Sequence, residues 1–127
     1  MKPVLKAAAL SLLIAGAAVP AAQAHHSGAM YDSAKLITIT GTVKAFNWSN
    51  PHVSVDILAD GKDGAPATLW SIAASSPGVM IRSGWSKSTL KPGDRITLEF
   101  NPLRDGGLGG NIKKATLPNG KSYGWTF

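Results

Sequence analysis

The chain has no cysteine, only three histidines and a single glutamate, Glu99. It can therefore form no disulfide, thiolate zinc site, iron–sulfur cluster or cysteine nucleophile. Acid is scarce throughout: Asp+Glu number 7 against 13 Lys+Arg, a formal net charge of +6. Charged residues make up only 16% and hydrophobic ones 44%, which excludes a disordered polyelectrolyte and demands a buried core. No apolar run reaches the roughly 20 residues that span a bilayer. The length, 127 residues, is too short for two ordinary domains. A single small domain without cross-links is expected.

The N-terminal segment reads as an address. Lys2 and Lys6 are followed by an unbroken run of apolar and small residues, Ala7 to Val19, then Pro20 and the small-x-small triplet Ala22-Gln23-Ala24. This is the layout of a cleaved secretory signal over residues 1–24, and the absence of cysteine excludes a lipoprotein anchor. Processing after Ala24 leaves His25 as the new N-terminus. It also removes two lysines, which lowers the net charge to +4. The expected location is the periplasm, and the processed chain is not expected to span a membrane.

Residues 25–35 are polar and aperiodic, an N-terminal arm. From Leu36 the pattern changes. Ile37, Ile39, Val43 and Ala45 alternate with Thr38, Thr40, Thr42 and Lys44, the period of a half-buried strand, with Gly41 suggesting a bulge or bend. The large residues change parity near Phe46 and Trp48, which predicts a bulge before Asn50-Pro51. Val53, Val55 and Ile57 predict a second strand; Thr68, Trp70 and Ile72 predict a third. Ser76-Pro77, then residues 78–83 and Gly84, form a short helix with an N-cap, a first-turn proline and a glycine stop. Ile96, Leu98 and Phe100 predict a fourth strand. Arg104 to Gly110 carries four glycines and reads as a loop, and Ile112 to Leu117 with Lys121 to Phe127 reads as a closing strand and hairpin. Three strands, a short helix and two further strands is the order of a five-stranded Greek-key barrel of the OB type, so residues 36–127 are expected to be all-β. An immunoglobulin-like β-sandwich is the alternative, but it has no place for that helix.

The histidines carry the chemistry that stands out. An N-terminal His25 offers its α-amino and ring nitrogens to one metal, and the pKa values of these groups lie close enough to neutrality for a metal to displace the protons. His52, in Asn50-Pro51-His52, would complete the planar three-nitrogen set that Cu(II) prefers. His26 and Met30 are auxiliary ligands, Met30 a soft donor for Cu(I), and Asp32 is a candidate orienter of an imidazole. One copper ion is thus the expected cofactor. The competing reading is a metal-free module that binds an envelope glycan or partner protein through Phe46, Trp48, Tyr123 and Trp125. Nucleic acid is not an expected partner of an exported chain.

No enzyme is expected. No G-x-S-x-G or comparable nucleophile setting occurs, and Asp56, Asp60 and Asp63 cluster where carboxylates form turns. No helix pattern follows the glycine run at 106–110, as a phosphate loop requires. An N-terminal histidine also serves copper oxygenases, but those need a broader face than this chain can build.

Several segments together resemble a known family of small exported bacterial proteins, domain of unknown function 6152. They are Ala24-His25-His26-Ser27, Met30-Tyr31-Asp32, the run from Gly41 to His52, Gly84-Trp85, Leu90 to Asp94, and Asn101 to Gly106. The resemblance covers nearly the whole processed chain. It implies export and a single β domain, and it places the His-His start and the Asn-Pro-His motif in the family's pattern.

Overall fold

The computed structural model describes residues 28–124; the leader, His25, His26 and Trp125 lie outside them. A 3-10 turn at Gly28–Met30 precedes β1 (Ile37–Asn47), β2 (Ser54–Ala59), β3 (Thr68–Ala73), α1 (Pro77–Arg82), β4 (Arg95–Pro102), β5 (Gly109–Thr116) and β6 (Ser122–Gly124). The strands are ordered β3-β2-β1-β4-β5-β6, and a parallel pairing of β3 with β5 closes the first five into a barrel. The helix falls between the third and fourth strands. This is the OB-like barrel expected from the element order, with β6 added as a hairpin on β5.

Alternation places the core. Val55 and Ile57 of β2, Ile96, Leu98 and Phe100 of β4, and Ile112 of β5 are all at most 1% exposed. β1 is long because it serves two partners: its first half pairs with β4 and its second with β2. The bend this needs comes from a bulge at Lys44, between Val43 and Ala45, and not from Gly41. The extra residue at the bulge also explains the parity change at Phe46. Gly41 has a different task. It lies against the backbone of Leu58 and Ala59, where no Cβ fits.

The helix is short, and its ends are set locally. Ser76 Oγ accepts from Val79 N–H at 3.5 Å, Pro77 sits in the first turn, and Gly84 takes φ +86° beyond the last. Six residues have no stability alone. Burial of Met80, followed by Trp85 and Leu90, plugs one end of the barrel and holds the helix there.

The glycine-rich stretch requires a correction. Gly109 and Gly110 are not loop; they open β5 and are buried. Gly110 faces Ile72 of β3 on one side and Pro102 of β4 on the other, at the closure of the barrel. The periodic signal fails here because glycine has no side chain to alternate.

Candidate functional site

Two segments converge on one cleft. The first is the β1–β2 loop. Its Asn50-Pro51 peptide is cis, and Val53 beyond His52 is fully buried. Val53 N–H donates to Ser75 O and Ala74 N–H donates to Val53 O, both at 2.8 Å, so the loop is stapled to the β3–α1 connection. His52 is therefore carried on fixed backbone.

The second segment is the arm, which lies as a strap along the end of β4. Tyr31 bridges to Leu103, and Asp32 N–H donates to Pro102 O at 2.8 Å. Arg104 holds the 3-10 turn, its backbone N–H donating to Met30 O and its Nε to Ala29 O, each at 3.0 Å. Asn101, 7% exposed, donates from Nδ2 to Lys35 O at 2.6 Å. A buried amide bonded to a carbonyl 66 residues away in sequence is a strong anchor, because removing it strands a buried polar group.

Between loop and strap lies a cleft of about 340 Å³ lined by Tyr31, Pro51, His52, Ala74, Ser75 and Asn111 among others. Partial burial pushes the Tyr31 phenol above its ordinary pKa, so it is a neutral donor at physiological pH. OB barrels take their ligands beside the loops joining strands one to two and four to five, and here those loops carry His52 and Arg104.

The expected ligands are distributed as follows. His52 lines the cleft. Met30 is in the 3-10 turn and 37% exposed, its carbonyl engaged by Arg104. Asp32 is engaged as well: Lys35 Nζ lies at 3.3 Å and Arg104 Nη1 at 3.9 Å, and its Oδ1 accepts from Ala34 N–H. Partial desolvation pushes the Asp32 carboxyl up, but the Lys35 ammonium, the Ala34 amide and the Arg104 guanidinium outweigh it and hold the group below the usual carboxylate range. Among the described residues no three histidines, aspartates or glutamates gather in metal-binding proximity.

The rings are brought together, but chiefly with one another. Phe46 meets Trp48 edge-on at 5.7 Å and Trp85 at 6.2 Å, and Trp85 meets Tyr123 at 5.2 Å. Trp85 is core at 3% exposed, and Phe46, Trp48 and Tyr123 are partly buried and pack against that core. Asp60 is more than a turn former: it takes a two-pronged pair from Arg95 at 2.8 and 2.6 Å. Sequence reasoning missed Tyr31 and Asn111 as lining of the cleft, and Arg104 as the residue that holds the strap. The first belongs to the Met-Tyr-Asp segment and was readable there; Asn111 reaches the cleft, and Arg104 the strap, only through strand pairing.

A family model described as a family of unknown function, DUF6152, matches residues 12–113. The chain belongs to this family. No curated protein matches it. Among solved structures, the chain resembles the mitochondrial single-stranded DNA binding protein Rim1 of S. cerevisiae at a TM-score of 0.51 and 12% identity, over 66% of this chain and 93% of that one. The selenomethionine-labelled crystals of the same protein give a TM-score of 0.50 at 12% identity, over 66% and 94%. At that identity the likeness is one of fold. Among the described residues no helix is long and apolar enough to cross a membrane.

Proposed function

We propose that this DUF6152 chain is exported to the periplasm and binds one copper ion at its processed N-terminus, acting as a carrier or sensor and not as a catalyst. One observation carries the reading: Tyr31 of the arm and His52 of the Asn-Pro-His loop line the same cleft. His25 lies three residues before Gly28, and an extended chain covers that interval in about 10 Å. The α-amine and ring of His25, with the His52 ring, supply three nitrogens, the donor set that suits Cu(II). His26 and Met30 stand by as further donors. Asp32, tied to Lys35 and Arg104, contributes by holding the strap in place.

The metal-free alternative is disfavoured by ring packing. Among the described residues Phe46, Trp48 and Tyr123 are partly buried and contact Trp85 or each other, so each is engaged in the core's aromatic cluster. Single-stranded DNA, the ligand named for Rim1, stacks on exposed ring faces, and the described rings are partly taken up by packing on one another.

The test is copper affinity, by competition with a chelator of known strength, for a chain beginning at His25 and for one carrying a single extra N-terminal residue. The extension and His52→Ala should each weaken binding by orders of magnitude, and the Cu(II) spin-resonance spectrum should report nitrogen ligation that changes in both. If His52→Ala leaves the affinity unchanged, the terminus is only a peptide chelate and the reading fails.

A further inference from the structure

The charge on this barrel is unevenly placed. Residues 41–47, 76–94 and 113–124 together hold seven Lys or Arg and one acid, Asp94, and two acids border them from neighbouring strands: Glu99, paired with Lys114 at 2.6 Å, and Asp56, opposite Ala45. The strand pairing collects those three segments at one end. The 91–94 turn is bonded to β1 through Val43 N–H to Asp94 O at 2.9 Å and Gly93 N–H to Val43 O at 2.8 Å. The end of β5 pairs with the start of β4, Thr116 opposite Thr97, and β6 folds back beside it. Trp85, just after α1, touches Tyr123 of β6, over whose ring Lys121 Nζ lies at 5.0 Å.

Lys44, Arg82, Lys87, Lys91 and Lys121 on this end are all exposed, and among the described residues none forms a salt bridge with an acid. At the helix, beside Arg82, Ile81 is 61% exposed, the most exposed large apolar side chain described. Met80 points into the core and Ile81 does not, so the helix presents a greasy side chain to solvent inside a field of cations.

We infer that this end of the barrel, capped by α1, docks on an anionic lipid bilayer. The inference is independent of the copper reading. Unpaired lysines are attracted to a negative surface, and a small apolar protrusion adds insertion below the headgroups. The exposed isoleucine favours a bilayer over a nucleic acid, whose phosphate backbone offers nothing apolar for it to enter. The copper cleft reaches Ser76, the N-cap of α1, so it borders the contacting end.

The experiment uses the chain from His25 onward. It keeps every strand, the helix and the whole described core, and it removes the Ala7 to Val19 run, which would bind lipid by itself. Sedimentation with phosphatidylglycerol-containing vesicles and with pure phosphatidylcholine vesicles is compared at low and high salt, in a chelator. The protein should partition onto the anionic vesicles only, and high salt should release it. Lys87→Gln with Lys91→Gln should lower partitioning about 25-fold, roughly fivefold per lysine. Ile81→Ser should lower it about tenfold with the charge unchanged. Thermal midpoints equal to that of the parent show that the variants are folded. Equal uptake by neutral vesicles, or anionic binding that survives the double substitution, overturns the inference. So does a result in which the parent ignores vesicles while the lysine pair governs binding to a single-stranded oligonucleotide; the end would then be a nucleic-acid surface.

Discussion

Gly110→Ala tests the account of barrel closure. A Cβ at Gly110 would lie 2.5 Å from the Asn101 carbonyl oxygen and 3.0 Å from Cε2 of Phe100, and closer still to Cδ2 of that ring, where ordinary contacts are 3.4–4 Å. The Phe100 ring is fully buried and cannot swing away, and the carbonyl is bonded backbone. The shortfall of roughly 1 Å must come from parting β5 from β4, and the same residue also faces Ile72 across the β3–β5 closure. Overpacking a core usually costs about 1–3 kcal/mol, and a site with no yielding neighbour belongs at the upper end, about 3 kcal/mol. In a domain of this size that lowers the melting temperature by roughly 12 °C or more. Urea and thermal unfolding followed by tryptophan fluorescence read it directly. Gly28→Ala, which meets nothing within 4 Å, is the control and should change little. A Gly110→Ala protein within about 0.5 kcal/mol of the parent, the range of an ordinary surface substitution, would refute the close approach and return residues 109–110 to a loop.

Arg104→Ala should loosen the strap without unfolding the barrel, because it removes the bond to Ala29 O and the charge beside Asp32. Amide exchange should quicken over residues 29–32 and not in β1–β5, and copper affinity should fall about fivefold, the worth of one hydrogen bond. On the acid side, hydrogen bonding from Arg95 holds the Asp60 carboxyl below its usual pKa, against a smaller opposing desolvation. Its contribution is therefore complete above the unfolded value of about 3.9 and is lost as pH falls through the folded one. Thermal midpoints measured from neutral pH downwards should fall more shallowly for Asp60→Asn than for the parent below that point. The difference should shrink in high salt because the pair is exposed.

Much of the fold was legible because strands half-buried on a barrel alternate, and Ile37 to Ala45, Val53 to Ile57 and Ile96 to Phe100 do so cleanly. The helix was legible because Ser76, Pro77 and Gly84 are caps that act within one turn. The bulge was visible only as a parity change, and its position at Lys44 was not, since either neighbour of a bulge gives the same shift in pattern. Gly109 and Gly110 misled for the opposite reason: residues chosen because nothing larger fits look identical to residues chosen for freedom. At the candidate site, His52 and the Met30-Tyr31-Asp32 segment stood out locally. Their convergence did not, because it depends on Asn101, Pro102 and Arg104, some seventy residues further along, receiving the arm.

The sequence by itself determined what the chain lacks, where most of its strands and its helix lie, and which few side chains are candidate metal ligands, because these follow from composition, periodicity and local caps. Tertiary structure alone decided which of those residues meet. It set the arm beside His52, sank Trp85 among Phe46 and Tyr123, and gathered Lys44, Lys87, Lys91 and Lys121 at one end. Each of these juxtapositions arises from long-range pairing between β1, β4 and β5, and no local pattern encodes a contact between residues so far apart in the chain.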